Sequence, residues 1–197
     1  MPLKFDFQCL RASSWEAWVD KEFADEEFCA LLEQAGVLRA ILISRSSNMY
    51  QDTESLRQMV QRCCPSTHTF FFAHGELTVT LEDIENHWKL PILGDCDPSE
   101  IKLSPAEIKV ETILLNYVGK KNISLGTNAA RLTTWLQKFF DEKDDDLRRA
   151  AVVAYWLSKC IFGEYPSYAI KPLYFRLAMK ISAGTSFPLV TMFLGQF

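Results

Sequence analysis

Proline and glycine are scarce in this chain, eight of each in 197 residues, which argues against a disordered or turn-rich β protein. No Cys-x-x-Cys occurs, and the six cysteines follow no disulfide framework. The first residues, MPLKFDFQCLRASS, lack the long apolar stretch of a secretory signal. These absences lead us to expect an intracellular, reduced protein whose thiols are mostly buried. No run approaches the roughly 18–20 apolar residues of a membrane span, and the final FPLVTMFLGQF is short and interrupted by Thr and Gln. An excess of basic charge is also missing: the net charge is −4 and the pI about 5.4. That disfavours a dedicated nucleic-acid binder. Neither a GxSxG elbow, a phosphate-binding P-loop nor a GxGxxG turn is present.

What is there suits a core. Apolar residues make up 48% of the chain, with 14 Phe and 5 Trp, and the length fits one domain. The patterning is mostly α: a helical, bundle-like single domain with one small β-hairpin near 69–80. Trp15, Trp18 and Val19 share a helix face behind Ser13 or Ser14; Phe28, Leu31 and Leu32 share another, opened by Asp25 and closed at Gly36. Val37 to Ile43 is ambiguous between helix and strand, and 44–50 reads as a loop. Leu56, Met59, Val60 and Cys63 keep helical spacing until Pro65.

After the hairpin, Thr80 with Asp83 forms a capping box, and Leu81, Ile84 and Trp88 an apolar face that Pro91 ends. Ser104-Pro105-Ala106-Glu107 is a complete helix start, running to about Val118. Thr127 is expected to cap a helix carrying Leu132, Trp135, Leu136, Phe139 and Phe140. A helix from about Asp145 to Phe162, one from Pro172 to Ala183 and one from near Ser186 complete the reading. That last helix stops at Phe197 while still apolar, so the chain is expected to be a shortened or incomplete form.

One stretch changes period twice: Thr69-Phe70, then His74-Gly75-Glu76-Leu77-Thr78-Val79-Thr80-Leu81-Glu82-Asp83-Ile84, ending in Leu90-Pro91-Ile92. It resembles the plant mobile domain of the maintenance-of-meristems (MAIN) and MAIN-like proteins, also found in transposons. Phe71-Phe72-Ala73 stands where relatives have His-Leu-Pro, and Trp88-Lys89 where they have Leu-Gly. The resemblance covers roughly 50–197, leaving 1–49 as a helical lead-in. It implies a nuclear protein serving meristem maintenance, transposon silencing and genome stability through protein partners, among them a phosphatase-like relative carrying the same domain. No catalytic residue and no cofactor come with it. The family-motif residues His74, Gly75, Glu76, Thr80, Leu81, Asp83, Leu90 and Pro91 are expected to be structural. A transposon-derived, nucleic-acid-associated factor is the alternative.

Cys63, Cys64, His68 and His74 are all metal-ligand types, but C-C-x3-H-x5-H is no standard zinc spacing. His74-Gly75-Glu76 is read instead as the hairpin turn, with Gly supplying φ > 0 and His and Glu fixing it by hydrogen bonds. Gly94-Asp95-Cys96-Asp97 has the start of a metallophosphatase motif without its continuation, so it reads as a loop. Residues 141–146 place negative charge ahead of a helix. Arg148, Arg149, Lys159 and Arg176 are interleaved with acids and read as a solvated face rather than a basic strip.

Overall fold

Ala150 to Ser158 is an unbroken buried run, and the fold is assembled around it. The computed structural model describes residues 13–46, 53–67, 69–119, 131–163 and 169–195. Within them ten helices and one small antiparallel sheet occur, so the protein is mostly α. The central helix, α8 (Asp145–Trp156), is buried on every side from Arg149 onward, where Ala150, Ala151 and Ala154 let neighbours approach closely. Sequence spacing had marked only one of its faces. It continues into a π-helical turn, Leu157–Ile161, where the Phe162 amide donates to the Leu157 carbonyl at 2.9 Å. Sequence spacing predicts one regular helix there.

Three helices precede the sheet: α1 (Ser13–Glu22), α2 (Glu26–Gln34) and α3 (Leu38–Ser46). They share the main core through Trp15, Trp18, Phe28, Leu32 and Ile41. Asp25 caps α2, accepting from the Phe28 amide at 3.2 Å, and Gly36 closes it at φ 74°. The ambiguous stretch after Gly36 is helical. Ion pairs tie α1 and α2 to α8, the one to Glu22 buried. Arg148 Nε donates to both oxygens of Glu22 at 2.8 and 3.0 Å, and Arg149 pairs with Asp25 at 2.6 Å and Glu27 at 2.9 Å. Burial pushes the Glu22 carboxyl above its ordinary pKa despite the Arg148 contact.

Next come α4 (Thr53–Val60), β1 (Cys63–Cys64), β2 (Thr69–Phe72), β3 (Gly75–Leu77) and α5 (Leu81–Trp88). The expected hairpin is therefore part of a three-stranded sheet, ordered β1-β2-β3. Cys63 does not extend α4, although its spacing matched; it pairs with Phe70 in the sheet. Helix α4 already ends at Val60, and the Arg62 carbonyl accepts from the Phe71 amide at 2.9 Å; Cys64, the residue before Pro65, is kept out of the α region. The expected mostly buried thiols are likewise corrected: among the described cysteines Cys160 is buried, Cys29, Cys63 and Cys64 are half-buried, and Cys96 is exposed.

The second half packs α6 (Pro105–Val118), α7 (Leu132–Phe139), α9 (Phe175–Ser182) and α10 (Leu189–Leu194) around α8. Trp135 is fully buried, stacks on Phe175 at 5.4 Å, and donates through its indole to the Ala151 carbonyl at 3.0 Å. Helix α7 begins later than expected. Arg131 is extended and bridges to Ala169, so helical geometry starts only at Leu132; Thr127 lies outside the described residues. Helix α10 also begins later than expected, at Leu189, because residues 186 and 187 are held against the segment after α5. No described helix is long and apolar enough to cross a membrane.

Candidate interaction surface

Between Glu54 and Lys89, Ile84 is the one buried residue among those whose side chains are described. The α4–sheet–α5 segment thus stands out from the core, attached chiefly at its end. Antiparallel pairing fixes which side chains share a face. Cys63, Phe70, Phe72 and Leu77 lie on one side; Cys64, Thr69, Phe71 and Glu76 lie on the other. Among the described residues each side keeps an exposed apolar side chain: Phe71 is 53% exposed and Leu77 61%. Met59, Val60, Val79 and Leu81 on the neighbouring elements are exposed as well.

The family-motif residues divide into three groups. His74 occupies the two-residue turn between Phe72 and Gly75, is exposed, and makes no hydrogen bond with another described residue, so it does not fix the turn as expected. Gly75 has φ 138°, a conformation that L side chains rarely adopt. Glu76 locks the hairpin from across the sheet: its carboxylate accepts from Thr69 Oγ1 and, at 3.3 Å, from Thr67 Oγ1.

At the start of α5, the Asp83 amide donates to Thr80 Oγ1 at 3.1 Å and the Thr80 amide donates back to Asp83 Oδ2 at 2.9 Å. Hydrogen bonds donated to its Oδ2 by the Thr80 amide and, at 2.8 Å, the Thr80 hydroxyl hold the Asp83 carboxyl below its ordinary range. Leu81 does not complete the apolar face of α5 but is 39% exposed. Trp88 packs on Phe193, centroids 6.5 Å apart.

The third group docks the segment on the core. Leu90 is buried, and the Pro91 carbonyl accepts from the Val190 amide at 3.1 Å. The Asp95 amide donates to the Ser186 carbonyl at 3.0 Å. At Gly94 the two chains touch so closely that a Cβ would stand 2.4 Å from the Phe187 Cα. Leu90 to Asp95 is thus a seam with 186–190, more than the helix stop that Pro91 announced.

The remaining candidates separate. Cys63 and Cys64 face opposite sides of the sheet, and His68 lies outside the described residues. Among the described residues no three His, Cys, Asp or Glu side chains cluster as a metal site would need. Cys64 Sγ lies 3.1 Å from Ser66 Oγ, and hydrogen bonds from Ser66 and Thr67 lower its pKa from 9.0 to about 7. Asp97 accepts from the Ser99 amide at 2.8 Å, an Asx turn. Asp144 caps α8, accepting from the Leu147 amide at 3.3 Å. The four basic residues form no strip: Arg148, Arg149 and Arg176 each face carboxylates, and Lys159 leans on Tyr155.

Sequence reasoning missed the two-sided exposure of the sheet. The alternation of apolar residues was visible, but nothing local says that Phe71 and Leu77 stay exposed on opposite faces. No curated protein and no solved structure matches the chain. The family model of the plant mobile domain matches residues 36–196, most of the chain and the whole of the surface described above, and this protein belongs to the plant mobile domain family.

Proposed function

We propose that this protein is a non-enzymatic interaction module, and that the projecting sheet is its partner-binding surface. One observation carries the reading: a three-stranded sheet with exposed Phe71 on one face and exposed Leu77 on the other. Small sheets gain stability by packing a face against another layer, and contiguous exposed apolar surface marks interaction sites. Aromatic anchors such as Phe71 are the residue type that dominates protein interfaces. Family membership adds the biological setting as part of the proposal: a nuclear, MAIN-like role in meristem maintenance and transposon silencing, with a phosphatase-like protein of the same domain as one partner.

The test compares the wild-type chain with a Phe71→Ser/Leu77→Ser variant as bait in plant nuclear extract. The expected result is a defined set of proteins retained by the wild type and lost by the variant, with unchanged far-UV circular dichroism. Identical recovery by both baits would sink the reading. Retention that disappears with nuclease and falls steeply with salt would instead favour a nucleic-acid-associated factor.

A further inference from the structure

The acidity of the chain is concentrated in the projecting segment. Residues 63–88 hold four carboxylates, Glu76, Glu82, Asp83 and Glu85, and no Lys or Arg, which accounts for the whole net charge of −4. All four residues are exposed. The rest of the chain is balanced in charge, so the excess that would draw a cationic partner is presented on this one segment.

The same segment offers backbone as well as charge. In an antiparallel pair only alternate residues exchange hydrogen bonds. Phe71 donates its amide to the Arg62 carbonyl at 2.9 Å, on the β1 side, so its partner Glu76 turns its own amide and carbonyl away from β2. Strand β3 is terminal in the sheet, and among the described residues no hydrogen bond meets those two groups. Edge strands are commonly blunted by Lys, Pro or a bulge; β3 has none of the three.

We infer that the partner supplies an extended basic segment, alternating Lys or Arg with apolar residues, which adds to β3 as a fourth strand. Strand addition of this kind takes its affinity from main-chain hydrogen bonds and its specificity from alternate side chains. Pairing would set one row of the added strand beside Leu77 and the other beside Glu76. An apolar side chain in the first row covers Leu77, which is 61% exposed. A Lys or Arg in the second faces the Glu76 carboxylate, on the same face as the exposed ring of Phe71. Glu82, Asp83 and Glu85 add attraction at longer range. A second copy of this chain fits poorly, because antiparallel pairing of two β3 edges would bring Glu76 towards its own twin.

This inference rests on the sheet being the partner surface. The test is fluorescence anisotropy of the full chain with three labelled probe peptides: one alternating Lys and Val, one of the same composition with Lys and Val in separate blocks, and one alternating Glu and Val. The alternating Lys-Val peptide is expected to bind most tightly, and less so as salt rises. Of its two sets of alternate amides, N-methylation of one is expected to abolish binding and of the other to leave it, because one set alone faces β3. Glu76→Gln, which keeps an oxygen for Thr69, is expected to weaken binding about threefold, mid-range for a cross-strand ion pair. Glu82→Gln/Glu85→Gln, outside the sheet, is expected to flatten the salt dependence. Equal binding of the block-ordered peptide, or indifference to methylation of either set, would overturn strand addition; equal binding of the Glu-Val peptide would overturn the basic partner. If the Phe71→Ser/Leu77→Ser bait loses its nuclear partners while no probe peptide binds the full chain, the interaction surface stands and this mode of binding is overturned.

Discussion

Gly94 shows how much a single residue can decide in this fold. Its place in Leu90-Pro91-Ile92-Leu93-Gly94 reads in sequence as the tail of a helix stop. In space it is the point where two backbones cross, with Phe187 Cα, Phe187 C and Pro188 N all within 2.7 Å of where a Cβ would stand. Those atoms are main chain and cannot swing aside as a side-chain tip would. Gly94→Ala is therefore expected to destabilise the protein by about 1–3 kcal/mol, the usual cost of overpacking, read as a lower urea midpoint at unchanged slope. An unchanged midpoint would mean that the seam does not hold α5 to α10. Nothing in the residues near Gly94 announces this, because the partner segment lies ninety-odd positions further on. Gly75, by contrast, has open space around it, and its need for glycine comes only from φ. That need was legible in the sequence.

At the level of elements, the helix starts were the most legible features. Ser104 and Glu107 exchange hydrogen bonds as their spacing predicts, as do Thr80 and Asp83. Capping is a contract between residues three apart, so the sequence contains both parties. The start of α7 escaped because Arg131 pairs with Ala169, and the π-helical turn escaped because α8 is confined on all sides.

The caps also set the acid response. Asp25 is held below its ordinary pKa by Arg149, Asp83 by the Thr80 amide, and Asp97 by the Ser99 hydroxyl. Glu107 feels burial pushing it up, outweighed by hydrogen bonds from Lys180 and Ser104. A carboxyl whose folded pKa is depressed contributes stability that is complete above its unfolded pKa and lost as pH falls through the folded value. With ordinary values of 3.8 and 4.5, the loss sets in below about pH 4.5.

Glu22 runs the other way. Its raised pKa gives a contribution that is full below 4.5 and declines as pH rises through the folded value. Urea midpoints measured between pH 3 and 7 are expected to fall on the acid side in both the wild type and Glu22→Gln. Only the wild type should also show the decline above pH 4.5. Matching profiles above pH 4.5 would remove Glu22 as the opposing group.

For the whole molecule, the match to residues 36–196 and the boundary of the folded core do not coincide. Trp15, Trp18, Val19, Phe28 and Leu32 are buried in the same cluster as α8 and α9, yet all precede residue 36. Each large side chain buried there contributes roughly 1.5–3 kcal/mol, against a total stability for a domain of about 5–15 kcal/mol. Removing them also strips Arg148 and Arg149 of Glu22, Asp25 and Glu27. Of these pairs Arg148–Glu22 is the buried one, and loss of one partner from a buried ion pair costs about 3–5 kcal/mol. A piece spanning 36–196 alone is therefore expected to keep helical far-UV dichroism while losing its near-UV signal and cooperative melt and binding a hydrophobic dye, as a molten globule does. The full chain should unfold in one transition under the same conditions. If the shorter piece melts cooperatively at the same temperature, α1 and α2 are dispensable cover over a core that closes without them.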